Sequence, residues 1–467
     1  MDRKMRLGLP ASLASLAITA GALAESAPAD ASIQDLLESM RTEIHRLHED
    51  NARMQSEIDE LRAAGGERWL TEQRADEIRG LVVDVLADAD VRASMLQDGL
   101  SAGWSEHFYL ASPDGRFKLQ LEGQMQFRWI YSYHDIPDHH VHGFENARTK
   151  LTFRGHAFNP DLTYLIRGNF ARDGGALLLE DAWLQYRINA DWVARIGQFK
   201  LPFNREEMVS SARQLAVERS LVSENTNIGR SQGVELIYAR DDWKVLFAIH
   251  DGIQESYGDF GIQGTLGPNT PWSTADTEWA IGARYERLFA GEWEQFDDFT
   301  SPPGEEFGLL WGIAAVSQQA EYGTGAGPSR DEPRLLAATT DLSAEWGGTN
   351  LFGSFTWAYT DNPQYPHITI WGFVLQGGVY FTPRLELFSR YEYGWWDSDV
   401  QDFADLHVIS FGANYYLKEH DAKWTTDIGF GIGRVENNWD SDIAGWRTDG
   451  NGADPQVVFR TQFQLLF

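Results

Sequence analysis

Two hydrophobic periods divide the chain. Ile33, Leu37, Met40, Ile44, Leu47, Met54, Ile58 and Leu61 recur at alternating four- and three-residue steps, with Asn51 in the one polar position of the series. That is a heptad seam carrying a single register-setting Asn, and it predicts a coiled coil within residues 25–66, closed by Gly65-Gly66. Residues 67–115 read as a second helical segment, with Leu81, Val82, Val85, Leu86, Val91, Met95 and Leu96 on its apolar face, followed by a linker from Gly99 to Gly115. From Arg116 the period becomes two. Phe117, Leu119, Leu121, Gly123, Met125, Phe127, Trp129, Tyr131 and Tyr133 share one face, while Lys118, Gln120, Glu122, Gln124, Gln126, Arg128 and Ser132 share the other. A strand of a soluble sheet is about 5–6 residues long. This alternation runs far longer and ends in aromatics, as expected of a strand that crosses lipid.

The same pattern continues to the end of the chain. Sixteen strands are predicted, at 116–133, 145–158, 161–172, 177–189, 191–203, 230–240, 242–253, 276–289, 306–319, 334–348, 349–360, 368–382, 383–397, 404–418, 421–436 and 455–467. Connections after even strands are tight and carry turn residues, such as Asn159-Pro160-Asp161, Gly347-Gly348 and Thr382-Pro383-Arg384. Those after odd strands are longer, and the connection after strand eight, with Pro302-Pro303-Gly304, breaks the rule. An even strand count with alternating short and long connections predicts an all-β transmembrane barrel over 116–467, preceded by the α-helical coiled-coil segment.

The first residues fit export to such a place. Arg3, Lys4 and Arg6 precede an apolar stretch from Leu7 to Ala20, and Ala22-Leu23-Ala24 supplies small residues at Ala22 and Ala24 for cleavage, so 1–24 reads as a signal peptide. Localisation is then the outer membrane, with the stalk in the periplasm. Mean hydropathy is −0.39, which a barrel tolerates because only alternate residues meet lipid. Cysteine is absent, which removes disulfides, a thiol nucleophile and a lipidated cysteine. A net charge of −30 argues against a nucleic-acid partner. That charge is uneven: residues 116–230 hold 15 basic and 13 acidic side chains, residues 231–467 hold 13 and 35.

Several stretches resemble the phosphate-selective porin O and P family. They are Glu145 to Gly155 with its Arg148-Thr149-Lys150 core, Arg195-Ile196-Gly197-Gln198-Phe199-Lys200-Leu201-Pro202-Phe203, Glu218-Arg219-Ser220-Leu221, Leu385 to Glu392, and Gly412 to Leu417. The resemblance spans roughly 110–467. It implies a sixteen-stranded homotrimeric channel in outer-membrane lipid, passing small anions or other solutes. The acidic final third departs from a strongly anion-binding interior, and no phosphate-binding residue of the family is carried over.

Candidate chemistry follows from parity. Arg128, Arg148, Lys150, Arg154, Arg167, Arg187 and Arg195 fall opposite apolar partners on their strands. A charge on the lipid face near midplane costs about 2–4 kcal/mol, so these side chains are expected in the lumen. There they form an anion path, or else Arg148 or Arg187 pairs with Glu122 or Asp181 to hold the wall. The connection 204–229 contains Arg205, Glu206, Glu207, Arg213, Glu218 and Arg219, and is expected to fold inward as a constriction. Phe463, Leu465 and Phe467 share a face at the C-terminus and read as an assembly signal. His134, Asp135, Asp138, His139, His140 and His142 in 134–144 match no standard metal spacing, and a solvated loop is expected. Gly429, Gly431 and Gly433 alternate with apolar residues, so they read as small lumen-facing positions rather than a nucleotide loop. No cofactor or metal is expected, and no catalytic residue is assigned. The expected function is an outer-membrane porin. The alternatives are a barrel hydrolase and a tether that reaches the cell wall through the stalk.

Overall fold

The computed structural model describes residues 42, 45–56, 100–134, 140–252, 277–320, 334–361, 367–398, 405–436, 438–448 and 455–467. The signal peptide with Ala22 and Ala24, most of the coiled-coil segment and residues 67–99 lie outside them.

The chain divides into two units, residues 1–94 and 95–467. In the first, residues 45–56 are helical (α1), and Leu47 and Met54 of the heptad seam are exposed on it. In the second, the order begins β1 (Ser101–Ser105), β2 (His107–Ala111), β3 (Lys118–Tyr133), β4 (His140–Ala157), β5 (Asn159–Phe170), β6 (Leu177–Arg187) and β7 (Trp192–Lys200). Two short helices follow, α2 (Arg205–Met208) and α3 (Leu221–Thr226). Then come β8 (Arg230–Ala239), β9 (Trp243–His250), β10 (Thr277–Ala290), β11 (Gly308–Ala320), β12 (Arg334–Trp346) and β13 (Thr349–Asp361). The last five are β14 (Ile368–Thr382), β15 (Leu385–Ser398), β16 (Leu406–Lys418), β17 (Ala422–Gly431) and β18 (Val457–Leu466).

Strands β3 to β18 pair antiparallel in sequence order, and β18 returns to β3 from Val457↔Tyr133 to Leu466↔Gln124. Strands β3 to β18 therefore close into a sixteen-stranded barrel, as the period-two pattern predicts. Its outer face is apolar: Phe127, Phe153, Ile166, Leu184, Ile196, Phe355 and Leu375 are all exposed. Aromatics ring both ends. Trp192, Tyr238, Trp243, Tyr285 and Trp311 run in succession at 4.7–6.1 Å near the short turns. Trp357, Trp371 and Trp395 do so near the long loops at 6.0–6.3 Å. These are the two interface girdles of a barrel in a bilayer.

Three elements differ from the sequence reading. Residues 101–111 form a hairpin, β1–β2, instead of a linker, and β2 extends the sheet by pairing Phe108↔Leu121 to Ala111↔Lys118. Its alternation is too short to stand out beside the glycines and serines around it. Strand β4 starts at His140, so His140 and His142 lie in the wall, where His142 pairs with Tyr131 and their rings stack. Strand β17 stops at Gly431, because Gly433 takes a φ of 100° and turns the chain off the wall.

Candidate functional site: the barrel lumen

Among the described residues, the lumen is built from the inward face of the strands and from three connections folded into it. The largest is 201–229. Its two helices start where the sequence offers capping side chains: Asn204 Oδ1 accepts from Glu206 N at 2.8 Å, and Ser220 Oγ accepts from Ser223 N at 2.9 Å. Leu201, Phe203, Leu215, Leu221, Val222 and Ile228 are buried. Around the circumference the wall holds the loop by its backbone. Arg284 donates to Phe203 O (2.9 Å), Gln126 to Ser211 O (3.1 Å), Gln464 to Ala212 O (2.9 Å), Lys423 to Gln214 O (2.9 Å) and Asn414 to Leu215 O (2.8 Å). In return, Val217 N donates to Asp427 (3.0 Å) and Leu221 N to Glu392 (2.5 Å). A chain leaving β7 therefore crosses the barrel and is fastened to strands on the far side.

The loop's charged residues close on one another and on the wall. Glu206 accepts from Ser220 N (2.7 Å) and Ser220 Oγ (2.6 Å). Glu207 meets Arg219 at 3.0 Å. Burial raises the Glu207 pKa, but the Arg219 and Lys200 charges outweigh it and hold the group at about 2. Arg205 reaches Ser343 Oγ (2.9 Å) and Phe296 O (2.6 Å). Glu218 receives both Arg148 and Arg128. Its burial is likewise outweighed by the Arg148 and Arg128 charges, which hold its carboxyl well below the usual carboxylate range. Arg213 alone of the six predicted residues is largely exposed, 3.5 Å from Asp297. In α3, burial pushes the Glu224 carboxyl up to about 7 despite Arg219.

The second inward element is 291–307, the long connection that broke the alternation. It lies on the short-turn side, and Phe296 and Phe299 are buried from it. Arg205 and Arg213 of the first loop both reach it, and Asp298 meets His420 of the β16–β17 turn at 3.1 Å. The third is 434–447, whose Trp439 and Trp446 are fully buried. Trp439 covers Gly394 and Trp446 covers Gly429: a Cβ on either glycine would lie 2.4 Å or 2.7 Å from the indole. The small lumen-facing positions of β17 are thus seats for an indole.

All seven predicted cations have acidic partners. Arg128 pairs with Glu145 (2.5 Å) and Glu218, Arg148 with Glu218 (2.7 Å), Lys150 with Glu180, and Arg154 with Glu122 (2.5 Å). Arg167 pairs with Asp181 (3.1 Å), Arg187 with Asp161 (3.7 Å) and Arg195 with Glu235 (2.9 Å). Parity did not identify these partners. Glu122 serves Arg154 rather than Arg148, and Asp181 serves Arg167 and Arg230. Glu180 and Asp181 are both drawn to the lumen side because a bulge in β6 inserts one residue between Arg167↔Asp181 and Gly168↔Leu179. Arg187 sits near a tight turn and is mostly exposed, away from the inward loops. The wall residues Arg284, Arg390, Asp427 and Arg460 also belong to the site. Arg284 chelates Asp341 at 2.8 and 2.9 Å, and Arg460 holds Asp427 at 2.7 Å. Their only signal in the sequence was inward parity on late strands.

At the seam, Phe467 N donates to Gly123 O (3.1 Å) and Gly123 N to Phe467 O (2.6 Å), while a Cβ on Gly123 would lie 2.3 Å from the Phe467 ring.

No curated protein matches the sequence. Among solved structures, the anion-selective porin from Comamonas acidovorans shares 13% identity at a TM-score of 0.53, covering 75% of this chain and 99% of that one. The outer membrane channel DcaP of Acinetobacter baumannii shares 12% at 0.51, covering 76% and 99%. Outer-membrane expressed OmpT of Vibrio cholerae shares 11% at 0.50, covering 75% and 98%. At these identities the likeness is one of fold. In sequence, residues 117–268 match the family model for phosphate-selective porin O and P. That stretch begins with β3 and takes in the whole inward loop, so the chain is a sixteen-stranded barrel of porin fold whose residues 117–268 match the phosphate-selective porin O and P family.

Proposed function

We propose that the protein is a porin: a water-filled channel for small hydrophilic solutes, narrowed by residues 204–229, that acts without catalysis. The observation that carries this reading is the fastening of 201–229 across the lumen by hydrogen bonds between its backbone and side chains of β3, β10, β15, β16, β17 and β18. A loop held at so many points sets a fixed aperture. A loop that only covered the outer mouth would need none of them. The lumen wall supports passage of ions through a balanced field: cations at Arg128, Arg148, Lys150, Arg154, Arg167 and Arg195, each beside an acid. Anions such as phosphate then experience alternating attraction and repulsion along the path, with no row of bare guanidiniums.

The protein acts as a homotrimer whose periplasmic stalk joins three barrels. Leu47 and Met54 are 58% and 54% exposed on α1, an apolar stripe that partner helices would bury. Acidic and His-bearing outer positions of the same helix suit contact with the cell wall. Planar-bilayer conductance with a reversal potential in a salt gradient tests the channel, and hydrolysis of lipid or peptide with no conductance refutes it. Light scattering with detergent subtraction, on protein with and without residues 25–66, tests the assembly. A monomer of the full protein refutes the trimer.

A further inference from the structure

The β1–β2 hairpin exposes its apolar face and half-covers its polar one. Trp104, Phe108 and Leu110 are 65%, 44% and 36% exposed, whereas Gly103, His107 and Tyr109 on the opposite face are half-buried. The pairs Trp104↔Phe108 and Ala102↔Leu110 place all four of these residues on one side. On the other side, a Cβ on Gly103 would lie 2.8 Å from the Tyr109 hydroxyl, Lys118 Nζ sits 5.3 Å from the Tyr109 ring, and His107 stands 3.7 Å from Glu122. A hairpin surrounded by water would turn its Trp, Phe and Leu against protein instead.

The apolar face runs into the outer wall of the barrel. Residues directly opposite one another in an antiparallel sheet project to the same side. One row of such pairs leads from Trp104 through Phe108, Leu121 and Phe153 to Ile166. Phe153 and Ile166 are exposed wall positions on the lipid side. A second row leads from Ala102 through Leu110 and Leu119 to Leu184, which is exposed on the same side. Strand β2 takes the place beside β3 that β18 leaves: Leu466 pairs with Gln124, and Phe108 takes over at Leu121. The hairpin thus continues the wall past its seam at the short-turn end, where Phe117 meets Phe158 of the β4–β5 turn at 5.3 Å.

We infer that the face formed by Ala102, Trp104, Phe108 and Leu110 lies against the periplasmic leaflet of the outer membrane, with Trp104 at the boundary between headgroups and acyl chains. Trp suits that boundary because its ring is apolar and its N–H is polar. The inference rests on the outer-membrane porin reading and goes beyond it, because the hairpin is no part of the closed barrel.

The test uses the full chain in phospholipid liposomes. The protein has no cysteine, so a single introduced one carries a single NBD dye. Ala102→Cys places the dye on the apolar face, and Ser105→Cys places it on the other, since Ser105 pairs with His107. Quenching by nitroxide-labelled phospholipid is expected to be at least twofold stronger in Ala102→Cys than in Ser105→Cys, and quenching by aqueous iodide at least twofold weaker. Adding Trp104→Ser and Phe108→Ser to Ala102→Cys should return the dye to iodide. Equal quenching in the two single variants, stronger iodide quenching in Ala102→Cys, or a dye unmoved by the loss of both aromatics overturns the inference. A dye shielded from both quenchers overturns it too, because a second copy or residues 67–99 then cover the face. Should the triple variant fail to fold, Trp104→Ser with Ala102→Cys is judged by the same comparison. Planar-bilayer conductance of Ala102→Cys separates the two readings. A conducting channel with its dye in water refutes the hairpin inference alone, whereas a dye in lipid on a barrel that conducts nothing upholds it and refutes the channel.

Discussion

Glu206 is the clasp that shuts the inward loop on itself, and Glu206→Ala opens it. The carboxylate receives Ser220 N at 2.7 Å and Ser220 Oγ at 2.6 Å, which ties the residue after Arg205 to the cap of α3. It also lies 3.8 Å from Arg390. A hydrogen bond to a charged group contributes about 1.5–3 kcal/mol, and the two bonds at the lower end of that range amount to about 3 kcal/mol. Every 1.4 kcal/mol is roughly a factor of ten, so the ratio of released to docked loop rises about a hundredfold. The wall bonds from Arg284, Lys423 and Asn414 stay intact, so the barrel itself is expected to fold and to remain heat-modifiable in detergent gels. Single-channel recording in potassium chloride should show a larger mean conductance with added flicker between substates. Glu206→Gln, which keeps an acceptor for Ser220, should fall between the two. Unitary conductance and noise identical to the native channel, in a properly folded Glu206→Ala, would refute the idea that this clasp sets the aperture.

Raising the pH through about 7 should ionise Glu224 and turn the channel toward cations, with the shift absent in Glu224→Gln; reversal potentials between pH 5 and pH 9 read this directly. The sign follows from burial: the neutral carboxyl is favoured in the folded loop, so its contribution to stability is present at low pH and is lost as pH rises through about 7. Gly123→Leu should obstruct barrel closure by driving a side chain into the Phe467 ring, at a cost of about 1–3 kcal/mol for overpacking. Deleting Phe467 should also lower surface levels, and Phe467→Ala added to Gly123→Leu should recover part of the loss. Equal surface levels in all three variants would separate the C-terminal aromatic from assembly.

Much of the barrel was legible because lipid imposes a rule that every strand must obey. With lipid on one side and the lumen on the other, a strand such as Gln124 to Tyr133 has to alternate, and the alternation shows where it starts and stops. The turns were legible for a similar local reason. Asn159 and Asn189 each accept two backbone amides following them, a bond available within the turn itself. The inward loop was legible in position and charge, whereas its two short helices, capped by Asn204 and Ser220, appear only in the structure. Parity likewise placed Arg128, Arg148 and Lys150 on the lumen side, where they are buried.

Partners were not legible, and the reason is closure. Whether Arg148 meets Glu122 on its neighbouring strand or Glu218 from a loop 70 residues away depends on how far 204–229 reaches across the barrel. Parity gives a side chain its face but not its height or its vis-à-vis. The bulge that sends Glu180 to Lys150 breaks the count of two that parity relies on. Gly429 and Gly431 read as small lumen-facing positions, yet only the folded loop shows that Trp446 fills the space beside Gly429, as Trp439 fills that beside Gly394 of β15. The sequence by itself thus determined the barrel, most of its strand boundaries apart from the start of β4 and the end of β17, its lumen face and the loop able to enter it, because each follows from contacts with lipid, water or the next residue along. Only the tertiary structure decided which acid neutralises which guanidinium, because that choice is made across the lumen between residues far apart in the chain, after the sheet has closed.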